Sequence, residues 1–342
     1  MTDLKSIPVS ILDLANLIQG DHSASDAFKR SVTFAQEAER LGYKRYWFAE
    51  HHNMESVASA ATAVLIGHIA EHTSTIRVGS GGIMLPNHAP LIIAEQFGTL
   101  ASLFPDRIDL GLGRAPGTDQ TTAYALRRNL SGSADAFPND VKELLQYLGP
   151  AENQGKVRAI PGVGTHVPVW LLGSSTFSAQ LAAELGLPFA FASHFSPAQL
   201  FPALQIYHAA FKPSAYLDKP YSMACVNVIA ADTDDEAKYL ATSLYQLALG
   251  MIRSTRRPLQ PPVKDMDALW NLEERAAVNN MFYYSFAGSR ETVAKSLAEF
   301  VDNTGVSELM TATYVYDSQA KMRSMEIVSS LFMTEKVQAA IS

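Results

Sequence analysis

The sequence predicts an α/β protein, a (β/α)8 TIM barrel with insertions after strands four and seven, and three observations carry that prediction. Short apolar runs alternate with amphipathic helical stretches along most of the 342 residues. That is the rhythm of parallel strands joined by right-handed crossovers. Eight such runs can be traced between Ile7 and Tyr316, the strand number of the barrel. In the best-defined run, YKRYWFAEHH (Tyr43–His52), one carboxylate and two imidazoles collect at the C-terminal end, where α/β folds keep their chemistry.

The elements follow in order. Ile7–Leu14 is the first strand, and Asp21, Ser23 and Ser25 offer caps for the next helix. In that helix Phe28, Val32, Ala35, Ala38 and Leu41 recur at helical spacing, and Gly42 stops it. Tyr43–His52 is the second strand and the alanine-rich Ser56–Thr73 the second helix. Ile76–Leu85 is the third strand, and Pro90 sits in the first turn of the helix Pro90–Leu103, where proline is tolerated. Arg107–Gly113 is the fourth strand. Ala115–Gly149 then breaks the rhythm, with helical segments at Thr121–Arg128 and Asn139–Leu148. Gly149–Thr165 has the glycine and proline content of a hairpin.

Val167–Leu172 resumes as strand five, followed by the serine-capped helix SSTFSAQLAAELG. Phe189–Phe195 is strand six, with its helix at Pro197–Phe211, and Tyr221–Ala230 is strand seven. Asp232–Met251 opens with an acidic turn that suits a helix N-terminus. The proline-rich Arg253–Asp267 has little core character, and its length and position suit a lid. A helix at Arg290–Asn303, strand eight at Glu308–Tyr316 and a terminal helix complete one expected domain, 1–342.

The composition, 47% hydrophobic and 18% charged, is that of an ordinary globular protein, and the net charge of −7 argues against a nucleic-acid binder. Cys225 is the only cysteine, so no intramolecular disulfide can form. The N-terminal stretch MTDLKSIPVS lacks a secretory pattern, and no apolar run approaches the ~18 residues of a membrane span. A cytoplasmic protein is expected.

Four stretches could carry chemistry. HIAEH (His68–His72) fits the inverted zinc-protease pattern H-x-x-E-H, but the sequence marks no third ligand, and a polar outer helix face explains it equally; no metal is expected. GLGRAPG (Gly111–Gly117) follows a strand as a dinucleotide fingerprint would, yet Pro116 stands where that fingerprint needs glycine. Arg114 survives as an anion ligand, with a structural ion pair as its alternative. Gly173, Ser174, Ser175 and Ser178 lie between strand five and its helix, where serine hydroxyls and free helix N–H groups can bind an anion. A plain serine cap is the alternative, but with Arg114 on the neighbouring strand the anion site is favoured. Glycine in the run Gly79–Gly82 weakens a strand, pointing to a bulge, a barrel kink or a flat ligand against the backbone. His51, beside Glu50 and His52, is a candidate general acid/base.

Taken together, WFAEHH, VGSGGIMLP, AEQFGTL and RIDLGLGR resemble, in order and spacing, the bacterial luciferase-like flavin monooxygenases. NHAP and GRAPGTDQ look like a subgroup of luciferase-like oxidoreductases. The resemblance implies reduced FMN at the barrel mouth, supplied by a separate flavin reductase. Its reaction with O2 would form a flavin C4a-peroxide that oxidises a small organic substrate. By motif position, Arg114, Ser174, Ser175 and Ser178 would hold the phosphate. Gly81-Gly82 would form a non-prolyl cis peptide under the ring, Glu50 would lie by the flavin, and His51 would assist catalysis. Gly113 replaces luciferase's reactive cysteine and Ser174 its glutamate, so aldehyde oxidation with light is not implied. Relatives using deazaflavin F420 for hydride transfer, or merely sequestering flavin, are the alternatives. The resemblance also implies a homodimer through the second and third helices, with Ala60, Ala61 and Ala63 at the contact.

Overall fold

The computed structural model describes residues 3–115, 118–126, 133–255 and 257–333. Its first half runs β1 (Val9–Asp13), α1 (Ala24–Arg40), β2 (Arg45–Phe48), α2 (Thr62–Glu71), β3 (Arg77–Met84), α3 (Pro90–Leu103), β4 (Ile108–Gly113), α4 (Gln120–Leu126) and α5 (Ser133–Leu148). The second half runs β5 (Val169–Gly173), α6 (Thr176–Leu185), β6 (Phe189–Phe191), α7 (Leu200–Ala210), β7 (Ser222–Ala230), α8 (Asp234–Ile252), α9 (Leu272–Met281), β8 (Ser285–Gly288), α10 (Arg290–Thr304), β9 (Glu308–Ala312) and α11 (Ser318–Phe332). Every strand pairing is parallel. The order β6-β5-β4-β3-β2-β1-β9-β7 closes through the β6–β7 pair into an eight-stranded barrel, and β8 lies outside the ring on β7.

The strands are buried on both faces, which is why they read as continuous apolar runs rather than alternating ones. Their outward residues, such as Tyr46, Phe48, Val78 and Leu110, join the helices in one large core. The inward residues stack in layers. At the N-terminal end the layer is polar: Arg45 bridges Asp109 at 2.6 Å and Glu308 at 3.0 Å, and Arg77 adds a second contact to Asp109 at 2.6 Å. Burial pushes the Asp109 carboxyl up, but Arg45 and Arg77 outweigh it and hold the group below its ordinary value. Above this, Trp47 and Trp170 meet edge to face at 5.2 Å with Leu12, Cys225 and Met310 around them. This aromatic plug is the base on which the mouth of the barrel rests.

Several local expectations are corrected. The second helix starts at Thr62, not Ser56, because Ser56–Ser59 are captured by tertiary hydrogen bonds: Leu17 N–H donates to Ser56 O, Ala58 N–H to Ala15 O, and Ser59 Oγ to Ala49 O. Ala60 and Ala61 therefore precede the helix. Gly149–Thr165 forms no hairpin; the stretch carries a cis Ile160–Pro161 bond and lies against α3, where Gly98 and Gly162 pack backbone to backbone. The sixth strand ends at Phe191, and Ala192–Phe195 turn away to wall the barrel mouth. The α9 helix and β8 were not anticipated. The expected helix Thr121–Arg128 is seen to Leu126, and Arg127, Arg128, Pro116 and Gly117 lie outside the described residues.

Candidate active site

At the C-terminal mouth a cavity of about 450 Å³ is lined by Gly81, Gly82, Arg114, Gly173, Ser174, Ser175, Ser178 and His51, among others. All the expected site residues except Glu50 therefore border one space, although they come from β2, β3, β4, β5 and α6. The volume falls within the usual range for small-molecule and cofactor sites.

The residues expected to form an anion cradle lie at the ends of β4 and β5. Arg114 follows β4, and its guanidinium stacks 4.1 Å above the Phe177 ring on the first turn of α6. That stacking fixes the charge beside the helix N-terminus. Ser175 holds the N-cap position of α6 in extended conformation, but its side chain makes no capping bond. The hydroxyls that cap α1, α8 and α10 do make one. Gln199 Oε1 accepts from Thr176 N–H at 3.3 Å. Gly173 is required by close approach: a Cβ there would fall 2.7 Å from Ser178 Cβ and 2.8 Å from its Oγ.

Beside the cradle, the Gly81–Gly82 peptide bond is cis, and the β3–β4 register shifts between Ser80 and Ile83. Side chains are excluded from both positions. A Cβ on Gly81 would lie 2.7 Å from Leu12 Cδ1, and one on Gly82 would lie 2.6 Å from Gly111 O. The result is a bare backbone surface above the aromatic plug.

Glu50 lies beneath this surface rather than in the cavity. It is 1% exposed, and its carboxylate accepts from His52 Nε2 at 2.8 Å, His88 Nε2 at 2.9 Å and Met84 N–H at 3.1 Å. Its own N–H donates to Gly82 O at 3.3 Å. The residue thus ties the strand-two end to the backbone on either side of Ile83. Burial raises the carboxyl pKa, but the bonds from His52 and His88 outweigh it and lower it to about 2. Glu50, His52 and His88 present ligand atoms within 4.8 Å of one another, a spacing open to a cation; mutual hydrogen bonds account for it fully. The pairing of His88 with Glu50, 38 positions away, and the place of His194 on the cavity wall were missed in the sequence. His194 ends an apolar run just as His51 does, and the same reasoning applied to strand six would have found it.

The HIAEH histidines sit elsewhere. His68 and His72 are exposed on α2, 4.5 Å apart edge to face. The lid segment is held down: Leu259 exchanges backbone bonds with Leu17 and Gln19, and Arg253 pairs with Glu274. Leu247 and Met251 on α8, before this segment, and Met281 and Phe282 at the end of α9, after it, line the cavity. Among the described residues, no helix is long and apolar enough to cross a membrane.

A closed parallel barrel whose C-terminal mouth holds a cavity bordered by Arg114 and by a backbone free of side chains defines the class of (β/α)8 barrel proteins with a small-molecule pocket. Within it, the chain belongs to the luciferase-like monooxygenase family, whose profile matches residues 7–308. It is 54% identical over 329 residues to the protein YvbT of Bacillus subtilis (strain 168), covering 96% of this chain and 97% of that one. It is 51% identical over 327 residues to a luciferase-like monooxygenase of Escherichia coli (strain K12), covering 96% and 97%. Among solved structures, apo-MsnO8 superposes with a TM-score of 0.86 at 33% identity, covering 95% of this chain and 98% of that one. More distant chains share the fold alone: the oxygenating constituent of 3,6-diketocamphane monooxygenase of Pseudomonas putida in complex with FMN, TM-score 0.70 at 18% identity over 95% and 97%, and an F420-dependent secondary alcohol dehydrogenase, TM-score 0.69 at 15% over 96% and 100%.

Proposed function

We propose that this protein is a flavin-dependent monooxygenase that uses reduced FMN and O2 to oxidise a small organic molecule. The observation that carries the reading is the convergence of a cationic cradle, a side-chain-free floor and His51 on one cavity. The residues fit the cofactor: the cradle matches a phosphate, and the space over Gly81 and Gly82 admits a flat ring. When bound, reduced flavin would supply the electrons that activate O2.

The chain's own residues do the rest. Arg114, Ser174, Ser175 and Ser178 bind the phosphate through charge-assisted hydrogen bonds. Glu50 acts as a positioning residue by fixing the backbone around Gly82. His51 holds or moves a proton at the reacting centre. Leu247, Met251, Met281 and Phe282 exclude water, which protects a reactive oxygen species from wasteful decay. A separate flavin reductase supplies the reduced cofactor in this reading. The chain pairs as a cytoplasmic homodimer through α2 and α3, where Val64 is 71% and Leu103 64% exposed.

The test is anaerobic titration with FMNH2 and, in parallel, with reduced F420, followed by admission of 18O2 with candidate substrates. Tight FMNH2 binding and one 18O atom in the product support the proposal. Preference for F420, or tight flavin binding with no labelled product across the panel, refutes it.

A further inference from the structure

His194 stands on the turn after β6, across the mouth from His51. Strands β2 and β6 are four steps apart around the eight-stranded ring. Both imidazoles line the same cavity, and His51 helps disfavour a charge on His194. His194 is 7% exposed. It is held firmly: Asn227 Nδ2 donates to its carbonyl at 2.6 Å, and the Phe195 ring meets it edge to face at 4.8 Å. Yet its Nδ1 is buried with no hydrogen-bond partner among the described residues. An unpaired buried polar group costs about 1–3 kcal/mol. A fixed imidazole on a cavity wall, with one ring nitrogen unpaired, is a polar group that a ligand in the cavity can meet.

The surrounding wall decides which ligand. Leu14, Val57, Leu247, Met251, Met281 and Phe282 are apolar, and Arg114 is the one permanently charged side chain among the described lining residues. Arg114 is committed to the anion cradle beside α6. Among the described residues, neither a second permanent cation nor a carboxylate lines the cavity to pair with a charged substrate, and burying an unpaired charge is costly. The glycine floor is on β3, three steps from β6 in the ring, and it borders the same cavity as His194.

We propose that His194 is a substrate-recognition residue, and that the substrate is an uncharged, mainly apolar molecule whose single hydrogen-bonding function meets this imidazole. The proposal rests on reading the mouth as a flavin site.

The experiment is calorimetric binding to the full-length, FMN-loaded protein. The probes are eight- to ten-carbon ketones and thioethers, the same skeletons with a carboxylate replacing one terminal methyl, and the parent hydrocarbons. Neutral ketones or thioethers should bind at least about tenfold more tightly than their carboxylate counterparts, a difference near 1.4 kcal/mol. His194→Leu should weaken the neutral polar probes about tenfold, leave the hydrocarbons unchanged and leave FMN affinity unchanged. His194→Asn should recover part of the loss. Equal binding of carboxylates, absence of binding by every neutral probe, or equal losses for ketones and hydrocarbons would overturn the proposal. So would weaker FMN binding with unchanged probe affinity, because His194 would then serve the cofactor. If FMN does not bind the folded wild type, the flavin reading fails separately, and the same probes on the flavin-free protein still decide the role of His194.

Discussion

Replacing Glu50 by Gln tests whether the floor of the mouth is held by charge. The carboxylate accepts from His52, His88 and the Met84 N–H while 1% exposed. An amide of the same shape keeps one oxygen but turns an NH2 toward groups that themselves donate, leaving buried donors unmatched. The Glu50 pKa is lowered from 4.5 to about 2, which corresponds to about 3 kcal/mol of stability at neutral pH. Because the folded-state pKa is depressed, that contribution is fully present above pH 4.5 and is lost as pH falls toward 2. Integration gives a loss of about 1 kcal/mol by pH 4 and about 2 kcal/mol by pH 3. Guanidinium titrations of the wild type and Glu50→Gln at pH 7, 4 and 3 should show a gap that narrows along this course. FMN affinity should fall with it, since Gly82 O and Met84 N–H lose their tether. A gap below about 1 kcal/mol at pH 7, or one that does not change with pH, would refute the reasoning.

Arg114→Ala should weaken FMN about 10–100-fold, as expected for one charge-assisted contact, while riboflavin affinity stays the same; fluorescence quenching reads both. Gly173→Ala places a Cβ 2.7 Å from Ser178 Cβ and should displace the first turn of α6, lowering FMN affinity while far-UV circular dichroism stays unchanged. Arg45→Met removes the buried cation shared by Asp109 and Glu308, leaving them only Arg77 and Lys44 as cationic partners among the described residues, and should cost about 3 kcal/mol; calorimetry should show a large fall in Tm, whereas Arg253→Ala at the Glu274 pair should leave Tm unchanged. The His194 pKa is lowered to about 3, so the wild type should lose stability as pH falls below 6.5, by about 2 kcal/mol at pH 5. His194→Leu should flatten that slope in pH-dependent melts.

How much of this was legible in the chain depended on distance along it. Strands such as Arg45–Phe48 and Ile108–Gly113 announce themselves because burial on both faces makes them mainly apolar, with Arg45 and Asp109 as the charged exceptions that pair with each other. The residues just past their ends, His51 and Arg114, come to line the cavity at the barrel mouth. The cradle was readable because Gly173 through Ser178 lie together. The tether at Glu50 was not, since His88 reaches it from after β3 and nothing local marks the pairing. His194 was hidden by reading FASHF as strand to its end, although the chain turns at Ala192. Ser56–Ala61 has helical composition, but hydrogen bonds to Ala15, Leu17 and Ala49 hold it otherwise. The strand β8 lies outside the ring and only Gly288 of it is fully buried, so no apolar run marks it.

The idle hydroxyl of Ser175 has a consequence for the protein before it meets its cofactor. A helix whose N-cap hydroxyl makes no capping bond forgoes about 1 kcal/mol, with only Gln199 Oε1, among the described residues, accepting from the Thr176 N–H here. An arriving phosphate would complete α6 as a capping residue completes other helices, so part of the protein's fold is supplied from outside. Heat resistance should then rise with cofactor concentration by mass action, and chains left unloaded should be the first that proteases open at this end of the barrel.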